Sequence, residues 1–230
     1  MEWEGFIKIT NRLPLINTEN LMVGSACPAS VEVQISRWKR AGKIIQLKKG
    51  IYILAEPYRK IEVYEPYIAA ILKSPSYLSL EKALEYYNLI PEAVTVYTSV
   101  TTKRNARFVS EAGIFDYKHI QDSLFWGYTT LTVNKQTAFI ASPEKALLDF
   151  FYLKKVTVSL EYLEELRLQH VEKMNITKLH KYAQKFKKPK MLQVAALIKE
   201  YSTQYKRGEK VMWRIIYWNS WPQEPATTQN

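Results

Sequence analysis

Residues 29–54, ASVEVQISRWKRAGKIIQLKKGIYIL, decide how the rest of the chain is interpreted. Val31, Ile35 and Trp38 stand at positions i, i+4 and i+7, and this spacing places them in one apolar stripe of a helix. Gly42 follows the last residue of the pattern, where a helix C-terminus tolerates a positive φ. The spacing therefore predicts a helix that buries one face and leaves the opposite face polar.

A β-hairpin is expected directly after this helix. The apolar runs 43–47 and 51–54 have the length and composition of short strands. Between them stands Lys48-Lys49-Gly50, which predicts a tight turn, because glycine adopts a positive φ without steric cost. The hairpin should therefore carry a basic tip.

Two further helices are expected upstream of residue 29. The apolar segment 3–15 predicts the first, and Asn17 or Thr18 is a suitable N-cap for the second, with Glu19 in its first turn. Three helices followed by a basic hairpin is the order of a winged helix-turn-helix, whose last helix enters the DNA major groove.

The predicted DNA contacts lie on the outward face of the third helix and on the hairpin. Arginine guanidinium groups fit guanine edges or phosphates, and lysine ammonium groups neutralise phosphates. The predicted contact residues are Ser30, Val33, Gln34, Ser36, Arg37, Lys39, Arg40, Lys43, Lys48 and Lys49. The alternative is a solvated basic helix and hairpin with no nucleic-acid partner, as in many proteins.

The composition favours a folded protein with an anionic partner. The chain has 230 residues, 47% of them hydrophobic, and a formal net charge of +11. This apolar content supports a packed core and argues against intrinsic disorder. The positive charge favours nucleic acid, the commonest soluble polyanion.

The compartment is expected to be the cytoplasm. Cys27 is the single cysteine, so no intramolecular disulfide is possible. We expect neither a signal peptide nor a membrane span, because the sequence has no basic start followed by a long apolar run and no apolar stretch of about 20 residues.

We expect an α+β chain in three parts. Residues 1–57 form the winged helix-turn-helix, 58–210 a mixed α/β domain with a helical C-terminal part, and 211–230 an aromatic segment and loose tail that contains Trp213, Trp218 and Trp221. The middle part should consist of helices at 66–74, 79–87 and 143–151, strands at 94–99, 107–109, 114–120, 128–133 and 137–141, and three late helices that bury leucines and aromatic residues from Leu160 onward.

Local signals refine this outline. Ile68, Ala69, Ile71 and Leu72 are expected on the buried side of the first middle helix. Ser79 and Ser142 are expected to act as helix N-caps, the latter followed by a proline at N1.

A lysine run marks the late helices. Residues 173–190 hold seven lysines and no acidic residue, which predicts a solvated face, with a second phosphate-contacting surface as the alternative.

Several blocks together resemble the AbiEi-type antitoxin family. The blocks span about residues 34–151 in the family's order: ISRW at 35–38, KGIY at 49–52, PSYLSLE at 75–81, LIPE at 89–92, TSVT at 98–101, GIFDY at 113–117 and ASPEKALLD at 141–149. Asn88 stands where the family is expected to have glycine, and both residues tolerate a positive φ.

The resemblance implies a two-domain protein of a type IV toxin–antitoxin pair that acts in phage defence. The front domain of such proteins represses the pair's own promoter. The second domain is linked to neutralising a nucleotidyltransferase-like toxin without a stable complex with it. Carried over to this chain, the DNA contacts fall on the helix from Ser30 to Arg40 and on Lys48 and Lys49.

We expect no catalytic residues, cofactor or metal. The three histidines are far apart, and Ser142 has no histidine and acid beside it in the sequence to make it a nucleophile. One alternative is a metal-dependent nuclease that uses Asp116, Glu144 or Asp149. Another is a protein or RNA interaction module.

Overall fold

The computed structural model describes residues 2–22, 28–154 and 156–206 as helices and strands joined by short connections. Cys27, the three late tryptophans and the whole predicted segment 211–230 lie outside these residues. The helices are α1 (Trp3–Thr10), α2 (Thr18–Met22), α3 (Pro28–Arg40), α4 (Glu65–Leu72), α5 (Leu80–Tyr86), α6 (Pro143–Leu153), α7 (Leu160–Glu165), α8 (Ile176–Lys185) and α9 (Pro189–Lys206). The strands are β1 (Ile16–Asn17), β2 (Ile44–Lys48), β3 (Ile51–Leu54), β4 (Ser76–Leu78), β5 (Val96–Thr101), β6 (Ala106–Ser110), β7 (Gly113–His119), β8 (Tyr128–Val133) and β9 (Gln136–Ala141). The predicted α+β class is confirmed.

The front unit contains α1 to α3 and a three-stranded antiparallel sheet in the order β1-β3-β2. The expected helix at 3–15 ends at Thr10, because Ile16 and Asn17 pair with Tyr52 and Ile51 of β3. A two-residue strand has no periodicity of its own, so the sequence did not reveal β1.

Aromatic rings form the core of the front unit. The ring of Trp38 lies 4.4 Å from Phe6 and 5.2 Å from Trp3, and Trp3 also contacts Tyr58 at 5.2 Å. The predicted stripe of Val31, Ile35 and Trp38 is buried against them. The large faces of the rings therefore hold α3 on α1 and leave its other side in solvent.

A six-stranded mixed sheet organises the second unit, in the order β6-β7-β5-β4-β9-β8. β4 runs parallel to β9 and antiparallel to β5, while β5 and β7 are parallel. The β8–β9 hairpin turns at Asn134 and Lys135, and both have a positive φ. The strands predicted at 128–133 and 137–141 are therefore confirmed, and they pair as a hairpin.

Helices cover both faces of the central strand β4. Register places Leu78 of β4 and Tyr117 of β7 on one face, where the Tyr117 hydroxyl donates to the Ala69 carbonyl of α4 at 2.6 Å. Tyr77 points to the opposite face and donates to Asp149 of α6. The short strand β4 is consequently buried along its whole length.

Two expectations for the middle helices are not met in full. Ile71 was expected to be buried, but it lies on the outer side of α4 with 39% of its surface exposed. Ser79 precedes α5, yet its side chain makes no capping hydrogen bond and donates to Asp149 instead. Ser142 does cap α6, accepting a hydrogen bond from the Lys145 backbone N–H.

The front hairpin belongs to both cores. Ile44 and Leu54 pack in the front unit, whereas Leu47, Ile51 and Ile53 pack with the second unit. The expected boundary at residue 57 therefore does not separate two independent cores, since the sheet of the front unit contributes one face to each.

Among residues 2–22, 28–154 and 156–206, no helix combines the length and the apolar character that a membrane crossing requires.

The two faces of α3 predict opposite effects of truncation. Ile35→Ala should destabilise the protein by about 2–5 kcal/mol, because it leaves a cavity among packed rings. Val33→Ala, on the exposed side of the same helix, should change stability by less than about 0.5 kcal/mol. Urea unfolding of both variants measures the difference, and equal effects would contradict the orientation of α3.

Candidate nucleic-acid interface

The outward face of α3 presents two exposed guanidinium groups. Val33, Ser36, Arg37 and Arg40 are exposed, since burial of the stripe on the other side turns them to solvent. Within the described residues neither Arg37 nor Arg40 makes an ion pair. Both forks are therefore available for a ligand.

The other predicted contacts on α3 and β2 differ in their exposure and in the contacts of their side chains. Ser30 is exposed and Gln34 is half-buried. The Lys39 ammonium donates to Gln46 Oε1 at 2.6 Å, and Lys43 lies over the Trp3 ring at 4.6 Å. These two lysines hold β2 against α1 and α3, so their positions are more restrained than those of the two arginines.

At the hairpin tip the two predicted lysines separate. Lys49 is exposed, while Gly50 takes φ +83° and its carbonyl accepts from the Thr18 backbone N–H at 3.0 Å. The Lys48 ammonium instead donates to the Leu72 carbonyl at the end of α4, at 2.7 Å. Lys48 is thus bound to the second unit, whereas the predicted contact Lys49 stays in solvent.

Other lysines surround Lys48 at this junction. Burial and the nearby charges of Lys103 and Lys73 lower the pKa of Lys48, while Glu19 opposes the shift. The carbonyls at the C-terminus of α4 compensate part of this repulsion, since the end of a helix carries partial negative charge.

A buried ion pair that the sequence analysis missed lies between β4 and α6. Lys145 binds Asp149 Oδ1, and both side chains are fully out of water. Asp149 Oδ2 accepts from the Tyr77 hydroxyl at 3.0 Å and the Ser79 hydroxyl at 2.9 Å, and Lys145 donates to the Tyr77 hydroxyl at 3.0 Å. Four polar side chains therefore satisfy one another inside the core.

Burial controls the titration of this cluster. Desolvation lowers the pKa of Lys145 and raises that of Asp149, and the attraction between the two opposes both shifts. Burial and the Asp149 charge raise the pKa of Tyr77, so its hydroxyl stays protonated. Gly127 passes close above Lys145, where a Cβ would come within 3.1 Å of the lysine side chain.

The sequence holds one signal for this pair. Lys145 and Asp149 stand at i and i+4 on α6, whose other residues between Ala146 and Phe151 are apolar. Charged residues on an apolar stripe are rarely buried without a partner. The two contacts from Tyr77 and Ser79 have no local signal, because about 70 residues separate them from Asp149.

Each carboxylate considered for a nuclease is bound to a lysine. Asp116 Oδ2 lies 3.0 Å from Lys118 Nζ, and Glu144 Oε2 lies 2.8 Å from Lys178 Nζ. In the part of the chain that the structure describes, no three His, Cys, Asp or Glu residues group as metal ligands would.

No family model matches this chain, and no curated protein matches it.

The buried pair predicts a strongly coupled mutant cycle. Asp149→Ala should cost about 3–5 kcal/mol, because it leaves the Lys145 ammonium buried without a counter-charge. The double variant Lys145→Met/Asp149→Leu should recover much of that loss, since apolar side chains of similar size need no partner. Urea unfolding of the single variants Lys145→Met and Asp149→Leu and of the double variant gives the coupling energy, and additive effects would contradict the pairing.

Glu144 predicts a defined pH dependence. Burial alone would raise the pKa of Glu144, but hydrogen bonds from Lys178, its own backbone N–H and Ser142 outweigh it and lower the pKa below 4.5. Because the pKa is lower in the folded state, this stabilisation is present above pH 4.5 and is lost as the pH falls through the folded pKa.

Glu144→Gln should therefore destabilise the protein by about 1–3 kcal/mol at pH 7 and by less in acid. Unfolding by urea at several pH values between neutral and acid measures the difference from the unmodified protein. A difference that stays constant as the pH falls would contradict the assignment.

Proposed function

We propose that this chain is a sequence-specific DNA-binding autorepressor and the antitoxin of a type IV toxin–antitoxin pair in the cytoplasm. Its front unit would be a winged helix-turn-helix. Its partners would be double-stranded DNA of its own promoter and, functionally, a nucleotidyltransferase-like toxin with which it forms no stable complex.

The observation that carries the DNA-binding proposal is a pair of exposed arginines on α3 that form no ion pair with any residue that the structure describes. Arg37 and Arg40 lie three residues apart on one exposed face, a spacing that brings their side chains together on a helix. Two forked donors in that arrangement suit neighbouring guanines or a guanine and a phosphate.

The order of elements supports the same proposal. A winged helix-turn-helix places its recognition helix before a β-hairpin, and here α3 directly precedes β2 and β3. At 13 residues, α3 is about 20 Å long, enough to lie along a major groove. The +11 charge would add non-specific attraction to the duplex.

The antitoxin part of the proposal depends on the resemblance of the blocks between residues 34 and 151. Two of these blocks, PSYLSLE and ASPEKALLD, contain the four residues of the buried cluster: Tyr77, Ser79, Lys145 and Asp149. Two others, TSVT and GIFDY, lie in β5 and β7 of the large sheet. The blocks therefore build the core of the second unit, and the toxin-directed residues would lie on its surface.

The arginines and the wing predict different binding defects. Arg37→Ala and Arg40→Ala should each weaken binding to the chain's own upstream DNA by about 1–3 kcal/mol while affecting random duplex less. Lys49→Ala should weaken both duplexes and reduce the salt slope by about one unit. Lys48→Ala should change the slope less, because its ammonium is bound to Leu72.

Fluorescence anisotropy with both duplexes at several salt concentrations provides the measurement, with Lys199→Ala on the exposed side of α9 as the control. Equal affinity of the unmodified protein for the upstream and random duplexes would refute the repressor proposal.

Point variants also test the antitoxin role. Arg37→Ala/Arg40→Ala should lose repression of a promoter reporter yet still rescue growth when co-expressed with the neighbouring toxin gene. A deletion of the front unit would be a poorer test, since it removes Leu47, Ile51 and Ile53 from the large core. Failure of the unmodified chain to rescue growth would refute the antitoxin role alone.

A further inference from the structure

The lysine run of residues 173–190 is not uniformly solvated. Lys178 pairs with Glu144, and the Lys190 ammonium donates to the Val156 carbonyl at 2.8 Å. The remaining five side chains are exposed, and none has a carboxylate partner within the described ranges: Lys173, Lys181, Lys185, Lys187 and Lys188. Their charge is therefore balanced by no acid in that part of the protein.

Four aromatic rings lie in a row beside these lysines. The ring of Tyr182 is 4.8 Å from Trp126, Trp126 is 5.7 Å from Phe186, and Phe186 is 5.2 Å from Tyr152. Phe186 is buried, whereas the other three rings are half-buried. We call this row of Tyr182, Trp126, Phe186 and Tyr152 the aromatic strip.

Lysine ammonium groups lie over the half-buried rings of the strip. Lys185 is 4.8 Å from the centroid of Trp126, and Lys188 is 5.2 Å from that of Tyr152. Lys178 is 5.4 Å from the centroid of Tyr182. Cations and partly exposed π faces thus alternate along one surface formed by α8, α6 and the segment before β8.

We propose that the aromatic strip binds single-stranded nucleic acid. Unpaired bases would stack on Trp126 and Tyr152, and the phosphates between them would contact Lys185 and Lys188. Stacking surfaces combined with positive charge are the features that bind single strands without strong sequence preference, since every base has a π face.

The lysines are suited to change partners on binding. A cation–π contact at an exposed site contributes only about 0.5–1 kcal/mol, whereas ion-assisted hydrogen bonds to phosphate are stronger. When Lys185 and Lys188 turn to phosphates, they uncover the rings for bases. A duplex offers phosphates but no free base faces, so the strip should prefer single strands.

This inference is independent of the proposed function. Repression uses Arg37 and Arg40 on α3, while the strip lies on α6, α8 and residue 126. A variant that loses duplex binding through α3 should therefore still bind single strands through the aromatic strip, and the reverse should also hold.

The test is anisotropy of a fluorescein-labelled 15-nucleotide oligo-dT, an oligo-U of the same length and a 15-base-pair duplex with the full-length protein. The single strands should bind more tightly than the duplex. Lys185→Gln/Lys188→Gln should raise the single-strand Kd about tenfold or more and reduce the salt slope by about 1.4, the value for two phosphate contacts on a single strand.

The control is Lys135→Gln/Lys199→Gln, which removes the same charge from exposed positions on the β8–β9 turn and α9. It should leave the Kd within about twofold. Tyr152→Leu should weaken binding at least about fivefold through lost stacking. Trp126→Phe should retain binding, because phenylalanine keeps a ring on which a base can stack. It also keeps an aromatic ring over Lys145, which a non-aromatic residue would remove.

Three results would overturn the proposal. One is a duplex affinity equal to or higher than that for single strands. Another is an equal loss of binding in the strip and control double variants. The third is a loss of single-strand binding in Arg37→Ala/Arg40→Ala, which would place the site on α3. Thermal unfolding confirms that each variant is folded before it is compared.

Discussion

The buried Lys145–Asp149 pair is the interaction on which most of the second unit depends. Two charges inside a core are costly unless their hydrogen bonds are complete, so Tyr77 and Ser79 must stay in place to complete them. This requirement joins α6 to β4 and to the start of α5. The Lys145 ammonium also lies 4.9 Å from the Trp126 ring and 5.0 Å from Phe186, so the same charge supports the aromatic strip from below.

Contacts around this pair connect the large core to α8 and to α3, which carry the two candidate surfaces. Glu144, one residue earlier on α6, binds Lys178 and accepts from the Asn175 backbone N–H at 3.3 Å, which fixes the beginning of α8. On the other side of the chain, the hairpin β2–β3 packs into both cores and carries the restraint to α3. A substitution in the large core should therefore disturb both candidate surfaces, whereas a substitution of an exposed side chain should affect one surface only.

The sequence predicted elements whose signal is local. The stripe of α3, the turn at Gly50 and the cap at Ser142 depend on residues within one or two turns of each other, and all three were found as predicted. It failed where a distant partner decides the outcome. The Ser79 hydroxyl donates to Asp149, 70 residues away, instead of capping α5. The Lys48 ammonium donates to the carbonyl of Leu72, 24 residues away, instead of facing solvent. Neither contact produces a periodic pattern in the sequence, so it cannot be predicted from residue spacing.

The distribution of paired charges explains why two separate surfaces stand out from an overall basic chain. Lysines 82, 118, 145, 154 and 178 each have a carboxylate partner, so these five charges are compensated locally. Among the described cations without a carboxylate partner are Arg37 and Arg40 on the outer face of α3 and the lysines around the end of α8. The two surfaces differ in chemistry: α3 offers guanidinium forks with directed hydrogen bonds, and the strip offers point charges beside flat rings. Forked donors discriminate base edges within an intact duplex, whereas rings require bases that are already unpaired. A protein with both surfaces would therefore bind duplexes through α3 and single strands through the aromatic strip.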